Sequence, residues 1–357
     1  MAPSADPSPS PHPSPRRILL FSAPRTASNL LVRILNVHNR PDVLTNDLGG
    51  YFFIWPFLKP VREFKKTPHQ WTAAERAVTR DGYQAALDEL EELATRAERE
   101  GKTLFVKEHG MFLANPDVTD PPRHAGGPDL DFFRLSVPDR YVHGGRGTFS
   151  PNNHTVLPDE YLAAWRIAFV IRHPALAWPS FYRASRRAAQ LGPMTDKMML
   201  EDGQPGMSLR WIRAMFDWCA ERSSAADAQA PPGQGAFPPP AIIDAQDIIH
   251  SPKALVRFCQ AVGLDPAALQ FEWPAEDAQA KRFSETPADD EMFRAFLGTL
   301  VGSRGVIKDL TPPTVDVEAE AVKWRAEFGD EIAKVLEKKV RDSMPDYEYL
   351  RARCVRA

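Results

Sequence analysis

Cysteine is scarce in this 357-residue sequence: Cys219, Cys259 and Cys354 are the only three. An odd, widely spaced set excludes a disulfide framework and a cysteine-ligated zinc site, and buried structural thiols are expected instead. No His-Glu-x-x-His pair and no EF-hand loop occurs, so no metal is expected. Long apolar runs are missing as well; Tyr51-Phe-Phe-Ile-Trp-Pro-Phe57 is far too short to cross a bilayer. The first residues lack the basic stretch and apolar core of a signal peptide, so the expectation is a cytoplasmic protein with no membrane contact. Nor is there an excess of either charge. Lys+Arg total 44 against 47 for Asp+Glu, a net −3, which argues against nucleic acid as a general partner.

What is present is the composition of an ordinary globular protein, 43% hydrophobic and 25% charged. Residues 1–15 are rich in Pro and Ser and poor in core formers, which predicts a disordered tail. Residues 16–357 read as a single α/β domain carrying insertions at about 40–101, 110–160 and 222–240. Strands are predicted at Arg17–Phe21, Lys102–His109, Trp165–Arg172 and Ala241–Asp244. Helices are predicted after the first strand, near 73–79, over about 82–101, from Pro174, over Ser251–Val262 with Gly263 as C-cap, and over about 317–341. Strands alternating with helices predict a central parallel sheet flanked by helices, with ligands gathering at the carboxyl ends of the strands.

Three segments carry chemistry. In Ala23-Pro-Arg-Thr-Ala-Ser-Asn29 a strand passes through a short polar loop into a helix. N–H groups around Thr26, Ala27, Ser28 and Asn29 there lack intrahelical partners, and Arg25 adds a permanent cation. The loop suits a phosphate, yet it also reads as an ordinary strand-to-helix turn. Without the Gly-Lys-Ser/Thr ending of a Walker A loop, a kinase or NTPase is disfavoured. In Lys107-Glu-His109 the period of two puts Lys107 and His109 on one face and Glu108 on the other. His109 there suits a general base and Lys107 a charge stabiliser, although a surface ion pair with a strand-capping histidine is the plainer alternative. In Arg172-His-Pro-Ala-Leu-Ala-Trp-Pro-Ser180 a guanidinium fork ends a strand and a hydroxyl follows on the next helix.

Taken together and in order, these segments resemble the sulfotransferases that use 3′-phosphoadenosine 5′-phosphosulfate (PAPS). Residues 23–29 are similar to that family's 5′-phosphosulfate loop, and Phe105-Val-Lys-Glu-His109 to the strand bearing its catalytic Lys-x-His. Phe169 to Arg183 is similar to the 3′-phosphate signature, and Ile242-Ile-Asp-Ala-Gln-Asp-Ile248 to the strand and acidic turn that follow. The resemblance implies a P-loop-like nucleotide-binding sulfotransferase architecture. It implies PAPS as co-substrate held by Arg25, Thr26, Ala27, Ser28, Asn29, Arg172 and Ser180. It further implies catalytic roles for His109, Lys107 and Arg25. Gly302-Ser-Arg-Gly-Val-Ile-Lys308 extends it to Arg304 and Gly305, where a simple turn is the alternative. Ala27 stands where the family has glycine, Asn29 replaces a hydroxyl residue, and Pro179 falls inside a predicted helix.

The insertions contribute aromatics: Tyr51, Phe52, Phe53, Trp55, Phe57, Trp71, Phe132, Phe133, Tyr141 and Phe149. Some belong to the core and some are expected to line a pocket for a mid-sized, largely apolar small-molecule acceptor. Trp211, Phe216 and Trp218 are expected in the core. The segment 143–154, with His143 and Arg146, is a candidate cover for that pocket. The resulting expectation is sulfonate transfer from PAPS to a hydroxyl or amine, with His109 as base. The alternative keeps the fold but runs donor-independent acid–base chemistry, such as dehydration or cyclisation, at His109.

Overall fold

The computed structural model describes residues 17–119, 129–142, 147–189, 205–229, 239–274, 284, 286–308, 311–312 and 314–356. The predicted tail, 1–15, lies outside the described residues, as do 120–128, His143, Arg146 and 230–238 within the predicted insertions. Among the described residues, five strands form one wholly parallel sheet: β1 (Arg17–Ser22), β2 (Val43–Leu44), β3 (Thr103–His109), β4 (Arg166–Ile171) and β5 (Ala241–Asp244). Their order is β2-β3-β1-β4-β5. The chain leaves the central β1 toward one edge and later returns to its other side, which creates a crevice at the carboxyl ends.

The crossovers run through helices α1 (Ser28–Ile34), α2 (Ile54–Phe64), α3 (Ala73–Arg99), α4 (Gly110–Leu113), α5 (Pro116–Thr119) and α6 (Asp159–Ala163). They continue with α7 (Pro174–Ala189), α8 (Arg210–Gln229), α9 (Ala245–His250), α10 (Pro252–Val262), α11 (Pro287–Val301), α12 (Val317–Phe328) and α13 (Asp330–Arg351). The strands are buried on both faces, as a helix-covered parallel sheet requires. Leu19, Phe21, Val106, Phe169 and Ile171 join one core with Leu87 and Leu90 of α3, Trp178 of α7 and Leu336 of α13. Ile18, Leu20, Phe105, Val170 and Ile243 join the other, with Leu31 of α1 and Phe258 of α10. Trp211, Phe216 and Trp218 are buried in the core as expected. All three cysteines are buried free thiols.

Two helix predictions need correction. The helices expected near 73–79 and 82–101 are one, α3. Thr72 and Glu75 start it with a reciprocal capping box, and Gly82 stays helical because α2 packs on it through Pro56. The helix expected over 317–341 is two. Gly329 ends α12 at φ 83, which glycine adopts without a side-chain clash, and α13 folds back against α12. Gly263 caps α10 at φ 81 as predicted. Among the described residues no helix is long and apolar enough to cross a membrane.

Candidate active site

Ser22, His109 and Arg172 lie at the carboxyl end of the parallel sheet, where Ser22 and His109 are register partners on β1 and β3 and Arg172 follows β4. The loop after β1 is bent by two left-handed residues, Arg25 at φ 64 and Ala27 at φ 65. Thr26 is fully buried and its hydroxyl donates to the Ala23 carbonyl at 2.7 Å, so it closes the turn and does not line the crevice. The left-handed conformation at Ala27 presses Cβ toward the following carbonyl, at a cost of roughly 1–2 kcal/mol that glycine escapes. Ala27→Gly is therefore expected to stabilise the fold by about 1 kcal/mol, a rise of roughly 2 °C in thermal melting. A fall in Tm would show that the alanine methyl contributes packing that outweighs the strain.

Two guanidiniums meet above this loop. Arg25 donates through Nε to Ser180 Oγ at 3.0 Å and through Nη1 to the Phe296 carbonyl of α11. Arg172 donates through Nη1 to the Arg25 carbonyl at 3.1 Å and through Nη2 to Thr311 Oγ1 at 3.2 Å. Burial, and then the charge of Arg25, pull the Arg172 guanidinium down to about 10, with Asp244 acting in the opposite sense. Burial likewise lowers Arg25. Both shifts mark cations that would gain from an anion placed between them.

A chain of polar side chains runs behind the loop. Lys107 Nζ donates to Asn29 Oδ1, and Asn29 Nδ2 donates to the Tyr51 hydroxyl at 3.4 Å. The Tyr51 hydroxyl lies 3.2 Å from His109 Nε2, and His109 Nδ1 lies 2.8 Å from Ser22 Oγ. Ser22 in turn donates to the Glu108 carbonyl at 3.3 Å. These partners assign the proton of His109 to Nδ1 and leave a lone pair at Nε2. Burial, and then Lys107, hold His109 well below the usual imidazole range, so it is neutral. Burial brings Lys107 down to about 7 and pushes the Tyr51 phenol upward.

Tyr51 reaches this chain because Gly49–Tyr51 extends the sheet edge along β3. Lys107 N donates to Gly49 O and Tyr51 N to Lys107 O, each at 2.9 Å. A Cβ on Gly50 would lie 2.0 Å from the Lys107 carbonyl oxygen, so only glycine fits there. Asn46 closes the turn by accepting from Gly50 N and donating to Gly50 O.

The crevice opens into a cavity of about 820 Å³. Its polar end holds Arg25, Ser28, Asn29, His109 and Arg172, with Phe112 packed on His109 and the Phe296 carbonyl on Arg25, and Phe57, Trp71, Phe181 and Phe293 also line it. Among the described residues, no aspartate or glutamate lines it. Such a site can bind an anion at one end, hold an apolar molecule at the other, and offer a neutral imidazole lone pair between them.

Sulfotransferase ppzF of Metarhizium rileyi is 34% identical over 354 residues, which span 97% of this chain and 98% of that protein. Sulfotransferase ppzF of Metarhizium majus is 34% identical over 350 residues, 96% of this chain and 98% of its own. This chain belongs to the sulfotransferase family. It is accordingly a transferase. No family model matches it. The sulfotransferase domain of the Synechococcus PCC 7002 olefin synthase aligns over 94% of this chain and 98% of that one, at 14% identity and a TM-score of 0.33.

In this sulfotransferase, Arg25, Ala27, Ser28, Asn29, His109, Arg172 and Gly305 all border the one cavity. Ser180 stands behind Arg25 and fixes its guanidinium. Lys107 is fully buried behind Asn29 and Tyr51, its ammonium 4.0 Å from the Tyr51 ring centre. Its ammonium therefore touches Asn29, which borders the crevice, and does not reach the crevice itself. Arg304 has an exposed side chain; its carbonyl accepts from Trp273 N at 3.1 Å, and Gly305 bridges to Glu272. Of the insertion aromatics, Tyr51, Phe57 and Trp71 border the cavity, whereas Phe52, Phe53 and Phe133 are buried away from it. Sequence reasoning missed Ser22, whose signal is its register opposite His109. It also missed the wall formed by Phe293 and Phe296, which nothing local to α11 reveals.

Proposed function

We propose that this sulfotransferase moves the sulfonate of PAPS to a hydroxyl or amine of a mid-sized, largely apolar small molecule, with His109 as general base. The observation that carries the reading is the pair of guanidiniums, Arg25 and Arg172, at the polar end of a cavity lined by no carboxylate among the described residues. A donor with phosphates at both ends of its nucleoside and a sulfonate at one would place its charges there. His109 Nε2 removes the acceptor proton as the acceptor atom attacks sulfur in line. The bond from sulfur to the bridging oxygen breaks, and the negative charge leaves on the 5′-phosphate, next to Arg25 and the Ser28–Asn29 turn. Lys107 adds positive potential through Asn29. The aromatic walls favour an apolar acceptor body. Donor-independent chemistry at His109 is not favoured by membership of a sulfonate-transferring family.

The test is calorimetric titration with 3′-phosphoadenosine 5′-phosphate (PAP), run at pH 8 in two buffers of different ionisation heat. Micromolar binding is expected, and no binding by folded protein would overturn the donor assignment. A second result follows from Lys107, whose burial brings it to about 7. At pH 8 its amine is mostly neutral in the free protein, and a nearby phosphate favours the ammonium and raises its pKa. Binding should then take up a fraction of a proton, shared with the coupled Glu108 that burial pushes up to about 8, and Lys107→Met should reduce that uptake.

A further inference from the structure

Tyr51 is the group in the site that this mechanism leaves without a task. Its backbone sits at φ 65, a conformation that an aromatic residue adopts only against resistance. Its ring is buried and packs against His109 and Phe112, with centroids 5.1 and 5.9 Å away. Filling that space would need only a phenylalanine. The hydroxyl, however, sits at the end of a chain in which every donor points the same way. Asn29 donates to the phenol oxygen and the Ser28 hydroxyl bonds to it as well; with Ser28 as a second donor, the phenol O–H donates to His109 Nε2, the very lone pair a base must offer.

We propose that Tyr51 is a positioning residue that caps the base: its hydroxyl occupies His109 Nε2 until an acceptor displaces it, and so denies that lone pair to water. The proposal rests on the donor and base assignments above. Without the cap, a water at Nε2 gives its proton to His109 and attacks sulfur. The sulfur–bridging-oxygen bond breaks and PAPS is spent as PAP and hydrogen sulfate, which loses its own proton to become sulfate, while a second proton is released when His109 is regenerated. An apolar acceptor that fits against Phe57 and Phe112 can push the hydroxyl aside, whereas a lone water has no such binding energy to spend.

The experiment measures sulfate release from PAPS in the absence of acceptor by wild type, Tyr51→Phe, His109→Ala and the double variant, with PAP affinity measured for each. Tyr51→Phe removes one oxygen and keeps the ring, and PAP affinity within about twofold of wild type verifies an intact site. Release by Tyr51→Phe is expected to rise tenfold or more, and the double variant should fall back to the wild-type level or below. Unchanged release by Tyr51→Phe with normal PAP binding would overturn the cap while leaving the donor assignment standing. An increase that persists in the double variant would do the same, because the water would not be using His109. Failure of wild type to bind PAP would overturn the donor assignment and the cap with it.

Discussion

His109→Ala is expected to lower the rate of sulfonate transfer by about 10²–10⁴-fold, the usual contribution of a positioned general base. PAP affinity should change little, because the imidazole is neutral and makes its bonds to Ser22 and Tyr51. A fall in kcat with donor affinity preserved is the signature of a group that acts in the transition state. The pH profile gives an independent check. The base works when unprotonated, and burial, helped by Lys107, moves its protonation well below the ordinary imidazole range. Activity should therefore persist as pH falls through 6.5 and disappear only at more acidic pH. An acid limb centred at an ordinary histidine value would mean that the titrating base is not this buried imidazole. Ser22→Ala supplies a graded comparison: it removes the partner that fixes the Nδ1 proton, so it should lower kcat less than loss of the ring.

The sheet was legible in the sequence because its signals are local. Apolar runs such as Ile18–Phe21, Phe105–Val106 and Ile167–Ile171 fill strands buried on both faces, and Pro, Ser and Gly mark the adjoining caps. The period of two placed Lys107 and His109 on one face of β3, and the structure keeps them there, both joined to Tyr51. Nothing local shows that Lys107 is walled off. That follows from Gly49–Tyr51 pairing with β3 across more than fifty residues of sequence, a contact only the fold defines. The two-residue β2 is too short to carry a period, and the packing partner of Gly82 within α3, Pro56, lies on another helix that the local sequence does not reveal. Ala27 is the instructive case. The sequence shows that alanine replaces the family's glycine there; the fold adds that Ala27 sits in a left-handed turn at φ 65 and borders the cavity. The departure from glycine costs strain in the backbone, which neighbouring residues alone do not reveal.

Arg172→Ala is expected to weaken PAP binding by about 30-fold to several thousand-fold, corresponding to the roughly 2–5 kcal/mol lost when one partner of a buried, hydrogen-bonded charge pair is removed. The free protein already bears the cost of burying this guanidinium, and then of holding it near Arg25, the two causes that bring it down to about 10. An anion bound there recovers that cost, which is why the effect should exceed that of an exposed arginine. Arg172→Lys should recover only part of the affinity. A single ammonium cannot donate both to the Arg25 carbonyl and to Thr311 Oγ1 while presenting a planar fork to a phosphate. Two controls separate charge from folding. Thermal stability of Arg172→Ala should not fall, because the substitution also removes a repulsion between two cations. Raising the salt concentration should weaken wild-type binding more than binding by the variant, since fewer charges remain to be screened. If Arg172→Ala binds PAP as wild type does, the phosphate lies elsewhere and the two guanidiniums do not hold the donor.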